Sequence, residues 1–179
     1  MSPLSDSGLV VWLTGLSGAG KSTLSDLFSE AMRSRGVPVV QIDGDALRGG
    51  VSKDLGYGSE ARDENIRRAA EFAKLLVAQG FVVSCSFISP LKRHRESARQ
   101  IVGERFLEVF VKVSLDQAIA RDPKGLYKRA LSGELKQFTG VSDPYEEPEN
   151  ADLVLETAAQ SPDESLASLV RAVASRLPK

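Results

Sequence analysis

Gly15-Leu16-Ser17-Gly18-Ala19-Gly20-Lys21-Ser22 fills every fixed position of the pattern G-x-x-x-x-G-K-[ST], with Thr23 next in the chain. Glycines at those positions let the backbone curl so that successive N–H groups point inward. A helix opening at Lys21 adds its own free N–H groups to the same nest. A lysine placed there reaches the β- and γ-phosphates of a nucleoside triphosphate, and the hydroxyl of Ser22 is a ligand for Mg2+. The plainer alternative, a glycine-rich turn with a stray lysine, leaves the fixed spacing unexplained.

Asp43-Gly44-Asp45, with Arg48 after it, follows the apolar run Val37 to Ile42. In an open parallel sheet, ligands bind beyond the carboxyl ends of the strands. The two carboxylates therefore fall on the edge that carries the nest, where one can hold a metal's water shell and one can take a proton from a substrate hydroxyl. Asp and Gly also make ordinary turns. Further on, Arg62, Asn65 and Ile66 are spaced i, i+3, i+4, so a guanidinium and an amide share a helix face and can grip an anion. A solvated helix start fits the same residues equally well. Ser89-Pro90 ends another apolar run and is followed by Lys92, Arg93, Arg95 and Arg99, a basic stretch that reads first as a solvated face. Arg121, Lys124, Lys128 and Arg129 fit a cationic lid, because a kinase must cover its phosphates or hydrolyse the donor. Phe138 in a polar loop suggests stacking on a base; the competing reading tucks it into the core.

These groups need a scaffold. Leu9 to Leu13 is unbroken and apolar, as a strand buried on both faces should be. Lys21 to Arg35 has helical spacing and ends at Gly36. Val37 to Ile42, Phe81 to Ile88, Phe106 to Val113 and Leu153 to Glu156 read as further strands. Helices are expected from Ser59, as cap, to Gln79; from Pro90 to Val102; over Leu115 to Arg121; over Gly125 to Leu131; and after the capping box Ser161-Pro162-Asp163-Glu164. Strands alternating with helices imply an α/β three-layer sandwich around a mainly parallel five-stranded sheet. The polar segment from Ser132 to Asn150 is long enough to suggest function.

Composition sets the outer limits. The chain has 179 residues, 42% of them hydrophobic and 26% charged, which is ordinary globular usage. The expected organisation is one domain over 1–179, with residues 1–7 a disordered N-terminus. Lys plus Arg number 23 against 24 for Asp plus Glu, so there is no global cationic field to attract nucleic acid or an anionic membrane. Cys85 and His94 are each the single residue of their type, which excludes disulfides within the chain and clustered Cys/His metal sites, and both read as structural. Trp12 reads as core. No apolar run approaches the ~20 residues of a membrane helix, no secretory signal is evident, and a cytoplasmic protein is expected.

Taken in order, Trp12-Leu13-Thr14-Gly15 through Thr23, Asp43-Gly44-Asp45, Glu64-Asn65-Ile66-Arg67-Arg68, Ile88-Ser89-Pro90, Lys124-Gly125-Leu126-Tyr127, Phe138-Thr139-Gly140 and Pro144-Tyr145-Glu146 resemble the adenylylsulfate kinase (APS kinase) family. The resemblance implies a P-loop NTPase fold of the nucleotide-kinase kind. It also implies ATP- and Mg2+-dependent phosphorylation of the 3′-hydroxyl of adenosine 5′-phosphosulfate. It assigns ATP to Gly15 through Thr23 and Arg121 and makes Lys21, Asp45 and Ser89 the catalytic set; Mg2+ falls to Ser22, with Asp43 or Asp45 in its shell. Carried over residue by residue, Asp45, Arg48, Arg62, Asn65, Ile88, Ser89, Lys124, Gln137 and Phe138 contact the acceptor, and Tyr57 stacks on its adenine with Phe138 opposite. Family descriptions place a phosphoserine at Ser89. A homodimer and a sulfurylase partner are further family-level expectations. A kinase for another hydroxyl acceptor and a catalytically weak nucleotide-binding module are the alternatives. Two local departures are Ser52-Lys53-Asp54-Leu55-Gly56-Tyr57, where the family commonly has Asn-Arg-Asp-Leu-Gly-Phe, and Leu91-Lys92, where an aromatic and an arginine are usual.

Overall fold

A computed structural model describes residues 8–178; the N-terminus expected to be disordered lies outside the described residues. The elements follow in the order β1 (Leu9–Thr14), α1 (Lys21–Arg33), β2 (Val39–Asp43), α2 (Gly44–Gly49), α3 (Ser59–Val77), β3 (Val82–Ser86), α4 (Lys92–Val102), β4 (Phe106–Lys112), α5 (Leu115–Arg121), α6 (Leu126–Leu131), β5 (Leu153–Glu156) and α7 (Pro162–Ala174). The five strands form one sheet in the order β2-β3-β1-β4-β5, with every neighbouring pair parallel.

Alternation along β1 builds two cores. Leu9, Val11 and Leu13 pack with Phe28 and Met32 of α1 and Leu169 and Val173 of α7. Val10 and Trp12 pack on the other face against Ile66, Ala69, Ala70 and Ala73 of α3 and Ala98 of α4. The sheet is thus buried on both faces, which is why its central strand reads as a continuous apolar run. The small alanines let α3 lie close to the sheet, beside the stack of Trp12 on Phe87, whose ring centroids are 4.9 Å apart. Such a pair adds about 1 kcal/mol beyond the area it buries.

Local chemistry moves several boundaries. At Asp43-Gly44-Asp45 the chain forms the short helix α2, for which no expectation stood, because Asp43 Oδ1 accepts the N–H groups of Asp45 and Ala46 at 2.9 and 3.2 Å and starts a helix there. Gly58, not Ser59, is the N-cap of α3. β3 stops at Ser86 rather than Ile88, and the chain turns at Ser89 with φ of 39°. α4 begins at Lys92, whose N–H donates to Glu146 Oε2 at 2.6 Å. The capping box of α7 forms as the sequence indicates: Glu164 N–H donates to Ser161 Oγ at 3.2 Å, and Ser161 N–H to Glu164 Oε2 at 2.8 Å.

Candidate active site

The loop between β1 and α1 is shaped by its glycines. Gly15 has φ of 152°, and a Cβ there would stand 2.4 Å from the carbonyl oxygen of Val111, so no other residue fits. Gly20 takes φ of 100° as the left-handed cap of α1. Lys21 is buried and folds back over the loop, donating from Nζ to the carbonyls of Gly15 and Leu16 at 2.9 and 2.8 Å. Burial pushes its ammonium down to about 8, against the opposing pull of Asp43 and Asp45.

Around this nest stand the groups expected to hold a cation and an acceptor. Ser22 Oγ donates to Asp43 Oδ2 at 3.3 Å, which puts a hydroxyl and a carboxylate side by side at the mouth of the loop. Asp45 is exposed and its Oδ2 accepts from Lys124 Nζ at 2.6 Å. This contact raises the lysine's pKa. The Arg48 guanidinium lies 4.6 Å from the centroid of the Tyr57 ring and donates to the Gly56 carbonyl at 2.7 Å.

Arg62 does more than the helix spacing suggests. It donates to the carbonyls of Tyr57 and Gln137, to Thr139 Oγ1 and to Asp143 Oδ2, at 2.8 Å for Tyr57, 3.0 Å for Thr139 and 2.9 Å for Asp143. It therefore bolts the segment 137–143 to the start of α3. Gln137 is held there with φ of 58°. Asn65, one turn along from Arg62, is buried, and its Oδ1 has no partner among the described residues.

The remaining side chains are each tied into the fold. Ser89 is 2% exposed; its Oγ donates to Thr14 Oγ1 at 2.8 Å and accepts from Trp12 Nε1 at 3.2 Å, so the hydroxyl is enclosed rather than presented as a nucleophile. Phe138 packs edge-on against Tyr127, with centroids 5.1 Å apart, and lies against the core, as the competing reading has it. Arg121 is anchored rather than lid-like: it donates to the Gly18 carbonyl at 3.4 Å and to the Thr157 carbonyl at 2.8 Å. Arg129 pairs with Glu134. Of the basic stretch after Ser89, Arg93 pairs with Asp63, the buried Arg95 with Glu108, and Arg99 with Glu108 and Asp152. Ile88 is half-buried and its carbonyl accepts from Thr14 Oγ1 at 2.8 Å. Cys85 and His94 are buried; burial pushes the Cys85 thiol up and the imidazole down, while Asp63, 2.9 Å from His94 Nε2, opposes the latter shift.

Sequence reasoning missed several supports of the site. Tyr127 Oη donates to the Ser17 carbonyl at 3.1 Å, and Thr157 Oγ1 to the Ala19 carbonyl at 3.0 Å, so α6 and the end of β5 both brace the nest. Asp143 was missed as well. None of the three lies in a pattern that implies its partner, which is more than 75 residues away in each case. A cavity of about 420 Å3 opens between Leu16, Leu115 and the 140–147 segment, but Lys21, Asp45 and Lys124 do not line it.

Similarity to known proteins agrees with this geometry. The family model for adenylylsulphate kinase matches residues 7–156. The adenylyl-sulfate kinase of Paraburkholderia xenovorans is 54% identical over 150 residues, which is 84% of either chain. The structure of Mycobacterium tuberculosis APS kinase CysC in complex with AMPPNP and APS superposes with a TM-score of 0.91 at 40% identity, covering 94% of this chain and 98% of that one. A hexameric APS kinase from Thiobacillus denitrificans superposes with a TM-score of 0.72 at 27% identity over 97% of this chain, and the match is 30% of its own. The chain is a kinase and belongs to the adenylylsulphate kinase family.

Proposed function

We propose that this chain transfers the γ-phosphoryl group of ATP to the 3′-hydroxyl of adenosine 5′-phosphosulfate, giving 3′-phosphoadenosine 5′-phosphosulfate and ADP. The observation that carries the reading is the pair Asp45–Lys124 beside the nest. An acceptor-side carboxylate and a cation from the connection before α6 meet at 2.6 Å within electrostatic reach of Lys21. A protein that only bound ATP would not need the carboxylate.

The residues then divide the work. The N–H groups of the nest and Lys21 hold the β- and γ-phosphates, with Lys21 exchanging the carbonyls of Gly15 and Leu16 for phosphate oxygens. Arg121 fixes the floor of the loop through Gly18 and Thr157. Asp45 orients the 3′-hydroxyl and takes its proton as the oxygen attacks phosphorus and the bond to the departing ADP breaks. Lys124, released from Asp45, draws toward the anionic acceptor. Arg48, Tyr57 and Asn65 form its wall, and Arg62 acts mainly by holding Gln137 and Phe138 in place. Positioning and fixed charge supply the rate in such transfers. Because Ser89 Oγ is enclosed, no phosphoserine intermediate is invoked.

Ser22 and Asp43 fit Mg2+. Both donors are hard oxygens already 3.3 Å apart, and Mg2+ takes few protein ligands when phosphates and water complete its shell. When bound, the ion neutralises charge on the phosphates.

Self-association, with a homodimer as its simplest form, belongs to the same reading and is supported by the hexameric relative. That relative is a larger chain, which also supports association with a sulfurylase or another partner domain. A cytoplasmic location, where ATP is at hand as donor, belongs to the same proposal. No helix of the described residues is long and apolar enough to cross a membrane.

The test is an ADP-release assay with ATP, Mg2+ and adenosine 5′-phosphosulfate, run beside gluconate, shikimate and other hydroxyl acceptors. Turnover with the phosphosulfate alone is expected. Turnover with a different acceptor would overturn the substrate assignment, and nucleotide binding without turnover on any acceptor would overturn the enzymatic reading.

A further inference from the structure

Two rungs of polar side chains cross the face of the sheet that packs on α1. β2 and β3 run in register, with Gln41 opposite Ser84 and Asp43 opposite Ser86. Side chains two residues apart share a face of a strand, and the contacts identify that face. Gln41 Nε2 donates to Ser25 Oγ and Asp26 Oδ1 of α1 at 3.2 and 2.9 Å, and Ser84 Oγ hydrogen-bonds Ser25 Oγ at 2.8 Å. The inner rung, Gln41–Ser84–Ser25, is thus closed on itself.

The outer rung lies one strand repeat and one helical turn nearer the phosphate loop. Asp43 and Ser22 meet there at 3.3 Å. Ser86 is the third member. It is 5% exposed, and its Oγ has no hydrogen-bond partner among the described residues. A buried hydroxyl in that condition carries an uncompensated desolvation cost. Its place in the register puts it beside the two oxygens that fit Mg2+.

We propose that Ser86 is a positioning residue of the cation site, its hydroxyl hydrogen-bonding a water of the Mg2+ shell beside Ser22 and Asp43. Mg2+ gives up its waters reluctantly and keeps several of them, so groups that orient those waters set how well the ion is held. The inference rests on the nucleotide-binding reading above and adds a residue to it.

Calorimetric titration of the full chain with ADP, in Mg2+ and in EDTA, tests it without any activity measurement. For the wild type, Mg2+ should raise ADP affinity. Ser86→Ala should lose about five- to tenfold of that gain, keep its EDTA affinity within about twofold, and melt without ligand at or above the wild-type temperature, since alanine removes an unpartnered hydroxyl. Ser86→Thr, which keeps the hydroxyl, should keep the gain. An unchanged Mg2+ gain in Ser86→Ala, an equal loss in EDTA, a lower melting temperature of the ligand-free alanine variant, or a folded threonine variant without the gain would each overturn the inference. Absence of any Mg2+ gain in the wild type would overturn the cation site at Ser22 and Asp43, and absence of ADP binding in both conditions would remove the nucleotide reading itself, a result distinct from the others.

Discussion

Lys124 Nζ stands 2.6 Å from Asp45 Oδ2, joining the connection between α5 and α6 to the first turn of α2. Side-chain exposures of 59% and 76% make this a solvent-screened pair, and such pairs contribute about 0–1 kcal/mol to stability. Its significance is positional. The contact holds the proposed proton acceptor and the cation proposed to bind the acceptor at one point, beside the loop proposed to bind the donor.

Asp45→Asn should therefore lower kcat by about 10²–10⁴, the range for losing a general base, while ADP affinity changes by less than about twofold. Lys124→Ala should act chiefly on KM for the acceptor. Both variants should melt near the wild-type temperature. Steady-state kinetics, ADP titration and thermal melts on the same preparations check all three statements; unchanged turnover of Asp45→Asn would remove Asp45 from the mechanism.

Lys21 ties nucleotide binding to pH. Burial holds its ammonium at about 8, below the ordinary 10.5, and phosphates bind the protonated form. Affinity for ADP should be nearly level below pH 7 and fall by up to about tenfold per pH unit above 8. Binding at pH 8.5 should take up a proton, measured as a dependence of the binding heat on the buffer's ionisation enthalpy. Lys21→Met should bind more weakly and take up none. Without ligand, the wild type should become more stable between pH 8 and 10.5, because the unfolded lysine still carries its proton there and the buried one does not.

The Arg62–Asp143 ion pair at 2.9 Å joins α3 to the segment that carries Gln137 and Phe138. Asp143→Asn removes the charge but keeps the shape. It should raise KM for the acceptor about ten- to thirtyfold, which corresponds to about 1.5–2 kcal/mol, the low end for a hydrogen bond to a charged group, with nucleotide affinity unchanged. Limited proteolysis between residues 132 and 142 should accelerate. Equal losses in donor and acceptor binding would show that Asp143 supports the fold generally rather than this segment.

Ser89→Ala tests whether the hydroxyl is structural. It leaves Trp12 Nε1 and Thr14 Oγ1 each short of a partner, so stability should drop by about 1–3 kcal/mol. Turnover at a temperature well below the melt should fall less than tenfold. Intact-mass measurement of the wild type during turnover should show no phosphorylated species; a phosphorylated Ser89 that forms and decays at the rate of turnover would restore the covalent route.

Much of the architecture is legible in the residues themselves. The buried run of β1, the helical spacing of α1 and α3 and the capping box of α7 depend on neighbours within a few positions. Boundaries shifted where a distant group intervened: Glu146 sets the start of α4, and the hydroxyl network of Ser89, Thr14 and Trp12 encloses the turn after β3. α2 was hidden because Asp43-Gly44-Asp45 has the composition of a turn, and only the bonds from Asp43 Oδ1 distinguish a helix start from one. The cations were the hardest to read. Arg93, Arg95 and Arg99 stand close together in sequence, yet Asp63, Glu108 and Asp152, which neutralise them, come from α3, β4 and the approach to β5.

A net charge of −1 hid that distribution, since a sum over the chain does not say which charges meet. By itself the sequence determined the nest, because closely spaced glycines at 15, 18 and 20 and a following helix fix the direction of the N–H groups locally. Tertiary structure decided which of the remaining groups are free to act. It brought Asp45 to Lys124 across 79 positions, engaged Arg62 with Asp143 across 81, and enclosed Ser89. Those outcomes depend on how strands order in a sheet and how loops close over it, and a side chain's partner there is set by distance in space rather than along the chain.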